Sequence, residues 1–179
     1  MSDNHAMTAT ITAPAPAEAA EYYHKYISQV GPGDVRHVLE TQAAETLAIL
    51  RGISDEQSRH RYAPEKWSIR QVISHLNDTE RVFTYRALWF ARGCGEALPS
   101  FDQDVAVAAA AADDRPWADH VEEFRTIRAA TVTLFRGLQA DAWDRRGIAS
   151  GNPVSVRALA YIVAGHVAHH VQILRERYL

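Results

Sequence analysis

Four stretches of this 179-residue chain repeat apolar side chains at helical intervals, and strand-like alternation is nearly absent. A helix with one apolar stripe must bury it against a neighbour, so four such stretches point to an all-α, four-helix bundle. The first follows Asp34, a good N-cap residue, and runs to about Ile53 with Val35, Val38, Leu39, Leu47 and Leu50 on one face. The second has the clearest start: Ser68-Ile-Arg-Gln71 forms a capping box, and Trp67 can staple against Val72. Its stripe of Ile69, Val72, Leu76, Val82, Phe83 and Phe90 continues to about Arg92. The third begins at Pro116 and turns Val121, Phe124, Val132, Phe135 and Leu138 inward. Ser155 caps the fourth, with Val154 and Leu159 as a second staple pair, and that helix runs to the chain end.

The remaining segments connect these helices. Residues 1–17, rich in Ala, Thr and Pro, read as a disordered tail, and 18–179 as one domain. Residues 18–30 form a short leading helix carrying Tyr22, Tyr23 and Tyr26, stopped by Gly31-Pro-Gly33. The stretch 54–66 is a polar connection, and 140–153 is the last loop. Between them, 93–115 is long, with a helical turn or two over 105–112, and it frees the third helix from the antiparallel hairpin a short loop would impose.

Composition removes several function classes. A net charge of -3 without a long Lys/Arg run argues against a nucleic-acid partner. No apolar run approaches the roughly 18 residues that cross a bilayer, so no membrane span and a cytoplasmic location are expected. Cys94 is the single cysteine, which excludes an intramolecular disulfide and a thiolate-rich metal site. A phosphate-cradling glycine loop, a Gly-x-Ser-x-Gly elbow and the Glu-x-x-His pairs of a di-iron bundle are all missing from the sequence.

What remains is histidine. His166 and His170 lie four residues apart on the apolar stripe of the fourth helix, roughly 40° round from one another, while His169 falls towards its edge. Buried imidazoles need partners, and either a cation or hydrogen bonds would serve. His75 points inward from the second helix and completes a three-imidazole set if those two helices pack together; a satisfied helix histidine is the alternative. Arg128 sits in the middle of the third stripe and demands an anion, which could be Asp78, Glu80 or a substrate carboxylate. Thr79, one turn from His75, could orient a ligand or pack by its methyl. Glu80 is a candidate base or acceptor, with a surface position as the ordinary alternative.

The run Lys66-Trp-Ser-Ile-Arg-Gln-Val-Ile-Ser-His75-Leu-Asn-Asp-Thr-Glu-Arg81, with Arg86-Ala-Leu, Phe90-Ala-Arg92 and Leu98-Pro-Ser-Phe-Asp-Gln-Asp104, resembles the DinB-like (YfiT-like) superfamily of metal-dependent enzymes. The ending Gly165-His-Val-Ala-His-His-Val-Gln-Ile-Leu-Arg-Glu-Arg-Tyr178 is similar to its last helix. The resemblance implies up-down-down-up topology, a divalent metal (Zn or Ni) on His75, His166 and His170, and frequent homodimers, with His169 outside the ligand set. Some relatives are thiol S-transferases and another is a mycothiol-dependent maleylpyruvate isomerase. The isomerase pattern has Glu where this chain has His166, so the resemblance implies the transferase branch: a low-molecular-weight thiol and a small-molecule substrate in stress or detoxification, with Arg128, Thr79 and Glu80 as candidate catalytic residues. A metal-dependent hydrolase and a non-enzymatic metal-binding bundle are the alternatives.

Overall fold

Three of the four long helices begin on the side-chain caps that their sequences predict. In the computed structural model, which describes residues 10–179, these are α2 (Val35–Arg51), α3 (Ile69–Ala91), α5 (Trp117–Arg136) and α6 (Val156–Ile173). The Asp34 carboxylate accepts from the Arg36 amide at 2.9 Å, Ser68 Oγ from Gln71 at 3.1 Å and Ser155 Oγ from Ala158 at 2.9 Å. The capping box closes as Gln71 Oε1 accepts from the Ser68 amide at 3.0 Å. Behind Pro116, α5 has no side-chain cap. Two short helices accompany the bundle, α1 (His24–Ile27) and α4 (Gln103–Ala109).

Individual contacts fix the chain direction of each helix. Trp117 Nε1 donates to the Leu50 carbonyl and Arg136 pairs with Glu40, so α2 and α5 are antiparallel. Asn77 meets the His120 carbonyl and Glu80 meets Arg128, so α3 and α5 run parallel. Tyr178 Oη donates to the Trp67 carbonyl while Arg86 meets Ser150, so α3 and α6 are antiparallel. The bundle is therefore up-down-down-up, and the long connection carrying α4 makes the crossover between the two parallel neighbours.

The core lies in two apolar clusters. One gathers Leu39, Phe83, Phe90, Phe135, Trp143 and the first half of α6; the other gathers Leu50, Ile69, Leu76, Trp117, Phe124 and Val167. Between them runs a polar belt. Arg128 Nε and Nη2 donate to the two oxygens of Glu80 at 2.9 and 2.7 Å, Arg128 Nη1 donates to Gln42 Oε1 at 2.8 Å, and Gln42 Nε2 donates to the Ala164 carbonyl at 2.8 Å. This chain of bonds ties α3, α5, α2 and α6 together and ends on a carbonyl two residues before His166.

Three features depart from the sequence reading. Within the last loop, β1 (Arg146–Ala149) and β2 (Asn152–Ser155) pair as an antiparallel hairpin. Its turn uses Ser150 and Gly151 at positive φ, 53° and 76°, the handedness that two-residue hairpin turns require. The leading helix is shorter than 18–30, with 3-10 turns before α1. Of the tail expected over 1–17, residues 1–9 lie outside the described residues, while Ile11 is buried and exchanges hydrogen bonds with Asp34, Val35 and Tyr161. The apolar Ile11 side chain gives this otherwise Ala/Pro-rich segment something to bury.

Candidate metal centre

His75 belongs to α3 and His166 and His170 to α6, and the antiparallel packing of those helices brings the three rings together. One nitrogen from each lies within 4.8 Å of the others. Ring centroids are 5.0 Å apart for His75 and His166, 5.1 Å for His75 and His170, and 4.7 Å for His166 and His170. His75 and His166 are buried and His170 is half-buried.

Thr79 settles the tautomer of one ring. Its hydroxyl donates to the His75 carbonyl at 2.7 Å, the usual bond of a helical threonine to the preceding turn. The same oxygen lies 3.3 Å from His166 Nδ1 and, having spent its proton, accepts from Nδ1–H. The lone pair of His166 then sits on Nε2, which faces His75 Nε2 at 3.2 Å. Two nitrogens bound to one ion at about 2.0–2.1 Å and a tetrahedral angle stand about 3.3 Å apart. The donor set and this spacing fit a divalent cation of the kind that takes imidazole.

Electrostatics suits the same role. Burial lowers His75 to about 4 and His170 to about 3, and burial together with the neighbouring rings holds His166 well below the ordinary imidazole range. All three are neutral at neutral pH, the form that ligates a metal. Aromatic groups wall the cluster: the Trp67 ring lies 5.0 Å from His75, Tyr26 lies 5.1 Å from His166, and Phe83 lies 6.0 Å from it. Tyr26 approaches because Gly165 lacks a side chain; a Cβ there would sit 2.0 Å from the Tyr26 carbonyl oxygen. His169 points to the edge, 3.3 Å from Gln29 Nε2 and against Tyr26, outside the three-ring cluster.

A cavity of about 210 Å³ opens on the His166 side and is lined by Thr79, Tyr26, Phe83, Arg86 and Phe101 among others. A wider depression of about 710 Å³ between α3 and α5 contains none of the three histidines.

The sequence profile of the DinB superfamily matches residues 38–174. The chain belongs to the DinB superfamily. Among solved structures, YfiT from Bacillus subtilis, described as a probable metal-dependent hydrolase with an unusual four-helix bundle topology, is similar at TM-score 0.64 and 19% identity, with 90% of this chain and 91% of that one covered. A mycothiol-dependent maleylpyruvate isomerase is similar at TM-score 0.64 and 11% identity, over 76% of this chain and 58% of that one. At such identities the likeness is one of fold. No curated protein matches the sequence.

Within this DinB-superfamily bundle, the remaining site candidates part company with the histidines. Glu80 is not at the surface: it is 3% exposed and spends both oxygens on Arg128, itself 1% exposed. Neither residue lines the cavity beside His166. Of the partners open to Arg128 in the sequence, the structural one, Glu80, is present. Arg86, Tyr26 and Phe101, by contrast, reach the cavity without having been singled out as site residues. For Tyr26 a signal existed in Gly165, since glycine inside a helix marks a close backbone approach.

Proposed function

We propose that this chain is a divalent-metal-dependent enzyme in which His75, His166 and His170 hold the ion and a small thiol is the activated nucleophile, making it a thiol S-transferase. The observation that carries the reading is the set of three neutral, converging imidazoles bordered on one side by a cavity. Three protein ligands with room beside them is the arrangement of catalytic sites, whereas structural ones are closed. A bound cation would favour the thiolate over the thiol in the position left open. Thr79 keeps His166 in the ligating tautomer, and Trp67, Tyr26 and Phe83 exclude bulk water from the rings. The sulfur forms a bond to an electrophilic carbon, the thiol proton is released to solvent, and the leaving group departs with its electron pair.

Thiol is preferred to water because hydrolysis calls for a nearby base, and Glu80, the candidate base of the sequence, is spent on Arg128. Among the ions that imidazole suits, Zn or Ni is the one the family resemblance implies, and the transferase role belongs to stress or detoxification chemistry. A homodimer and a cytoplasmic site of action complete the proposal; no helix among the described residues is long and apolar enough to cross a membrane. Metal analysis of protein prepared without nickel affinity resin, followed by consumption of an alkylating substrate with and without added low-molecular-weight thiol, tests it. Thiol-dependent turnover that His75→Ala abolishes is expected. Turnover of an ester, amide or phosphoester without thiol would instead make the chain a hydrolase, and full activity in His75→Ala would remove the metal from the reaction.

A further inference from the structure

Arg86 is 4% exposed and pairs with no carboxylate among the described residues. The other two deeply buried arginines do pair: Arg70 with Asp55 at 2.6 Å and Arg128 with Glu80 at 2.7 Å. Among the described residues Arg86 bonds only through Nη2, to the Pro99 carbonyl at 2.8 Å and to Ser150 Oγ at 3.0 Å, both neutral acceptors. Those two bonds use both N–H groups of Nη2 and leave Nε–H and the Nη1 pair without a protein acceptor. A guanidinium stays charged in any surroundings, and a buried one without a counter-ion is strongly unfavourable unless something else supplies the anion.

The cavity beside His166 is where that anion would stand. Arg86 lines it together with Thr79 and His166, and among the described residues no Asp or Glu does. The Lys25 ammonium lies 4.0 Å from the ring centre of Tyr22 and 4.8 Å from that of Tyr26, both lining residues, so a second positive charge stands against the rings that wall the cavity. Along α3, Arg86 follows Thr79 by two turns, which sets it about 10 Å along the axis from the residue touching His166. The 210 Å³ volume is that of about seven waters, below the range of about 300–1,000 Å³ usual for drug-sized ligands.

We infer that Arg86 is the anion receptor of this site, and that the molecule bound beside the three histidines is a small carboxylate whose reacting group lies within two helical turns of its carboxyl. The inference rests on the metal-centre reading for the position of the reacting group, but not for the anion subsite itself. In the transferase reading the carboxylate belongs to the thiol or to its acceptor, and Arg86 takes the anchoring role that Arg128 cannot.

The test uses the full chain loaded with Co²⁺ and titrated with 3-mercaptopropionate or its neutral amide, following the thiolate-to-cobalt absorption band. The acid should bind about tenfold or more tighter than the amide, as expected for a charge-assisted contact, and Arg86→Gln should erase the preference while leaving the amide's affinity unchanged. A parallel calorimetric titration of the metal-free chain with propionate should give binding that Arg86→Gln removes. Equal affinity of acid and amide, with no binding of propionate, would overturn the anion receptor while leaving the metal centre standing. Failure of Co²⁺ to bind would overturn the metal centre, and the propionate titration would then decide Arg86 alone. Should Arg86→Gln not fold, the acid-to-amide ratio in the unaltered chain and in Arg86→Lys carries the same decision.

Discussion

The hydroxyl of Thr79 and the three imidazoles form one unit, because the threonine proton is committed to the His75 carbonyl and its lone pair to His166. Replacing it with valine keeps the shape and removes the bond that orients the ring. Thr79→Val should weaken metal binding about 10- to 100-fold with an unchanged circular dichroism spectrum; equal affinity would show that the tautomer is fixed otherwise. The buried rings also set a pH dependence. His75 falls from 6.5 to about 4 and His170 to about 3 on folding, so in acid the unfolded chain takes up protons before the folded one. Stability is fully present above the unfolded value and is lost as pH falls from about 6.5 through about 4, by an amount on the order of a few kcal/mol. Melting of the metal-free protein across a pH series should show this decline, and a flat profile between pH 7 and pH 4.5 would contradict the burial of the rings.

At the scale of the elements, the belt through Glu80, Arg128 and Gln42 explains how a polar layer crosses an otherwise apolar bundle. Each charge is satisfied by a partner on another helix, so the layer fixes the register of α3 against α5 as well as their proximity. Breaking it from one side leaves an uncompensated buried charge. Arg128→Met should therefore destabilise the fold by about 3–5 kcal/mol, and Glu80→Leu added to it should recover much of the loss, since the charge and its partner then vanish together. Denaturant unfolding of the single and double variants measures the difference; equal stability of both would mean the pair is solvated. The hairpin of β1 and β2 acts at the same scale. Ser150 Oγ on its turn holds Arg86, and Gly147 crosses α3 where a Cβ would lie 1.9 Å from the Phe90 ring.

For the molecule as a whole, a cation that binds the folded state alone couples the site to global stability. A free concentration a hundredfold above Kd adds about 2.7 kcal/mol, which for a chain of this size raises the melting temperature by about 5–10 °C. Added Zn²⁺ should produce that rise in the unaltered protein and none in His75→Ala; an equal rise in both would place the ion elsewhere. The sequence by itself determined the caps at Asp34, Ser68 and Ser155, the apolar stripes, and the inward placement of His75, His166 and His170, because each depends on spacings within a single turn or two. The hairpin was hidden in four-residue strands, one holding Pro153, which carry too few alternating side chains to register a period. Only the tertiary structure decided that α3 lies against α6, that Glu80 neutralises Arg128, and that Arg86 faces a cavity with no counter-ion. Those are relations between residues dozens of positions apart, and a helical stripe specifies that a face is buried without specifying which neighbour buries it.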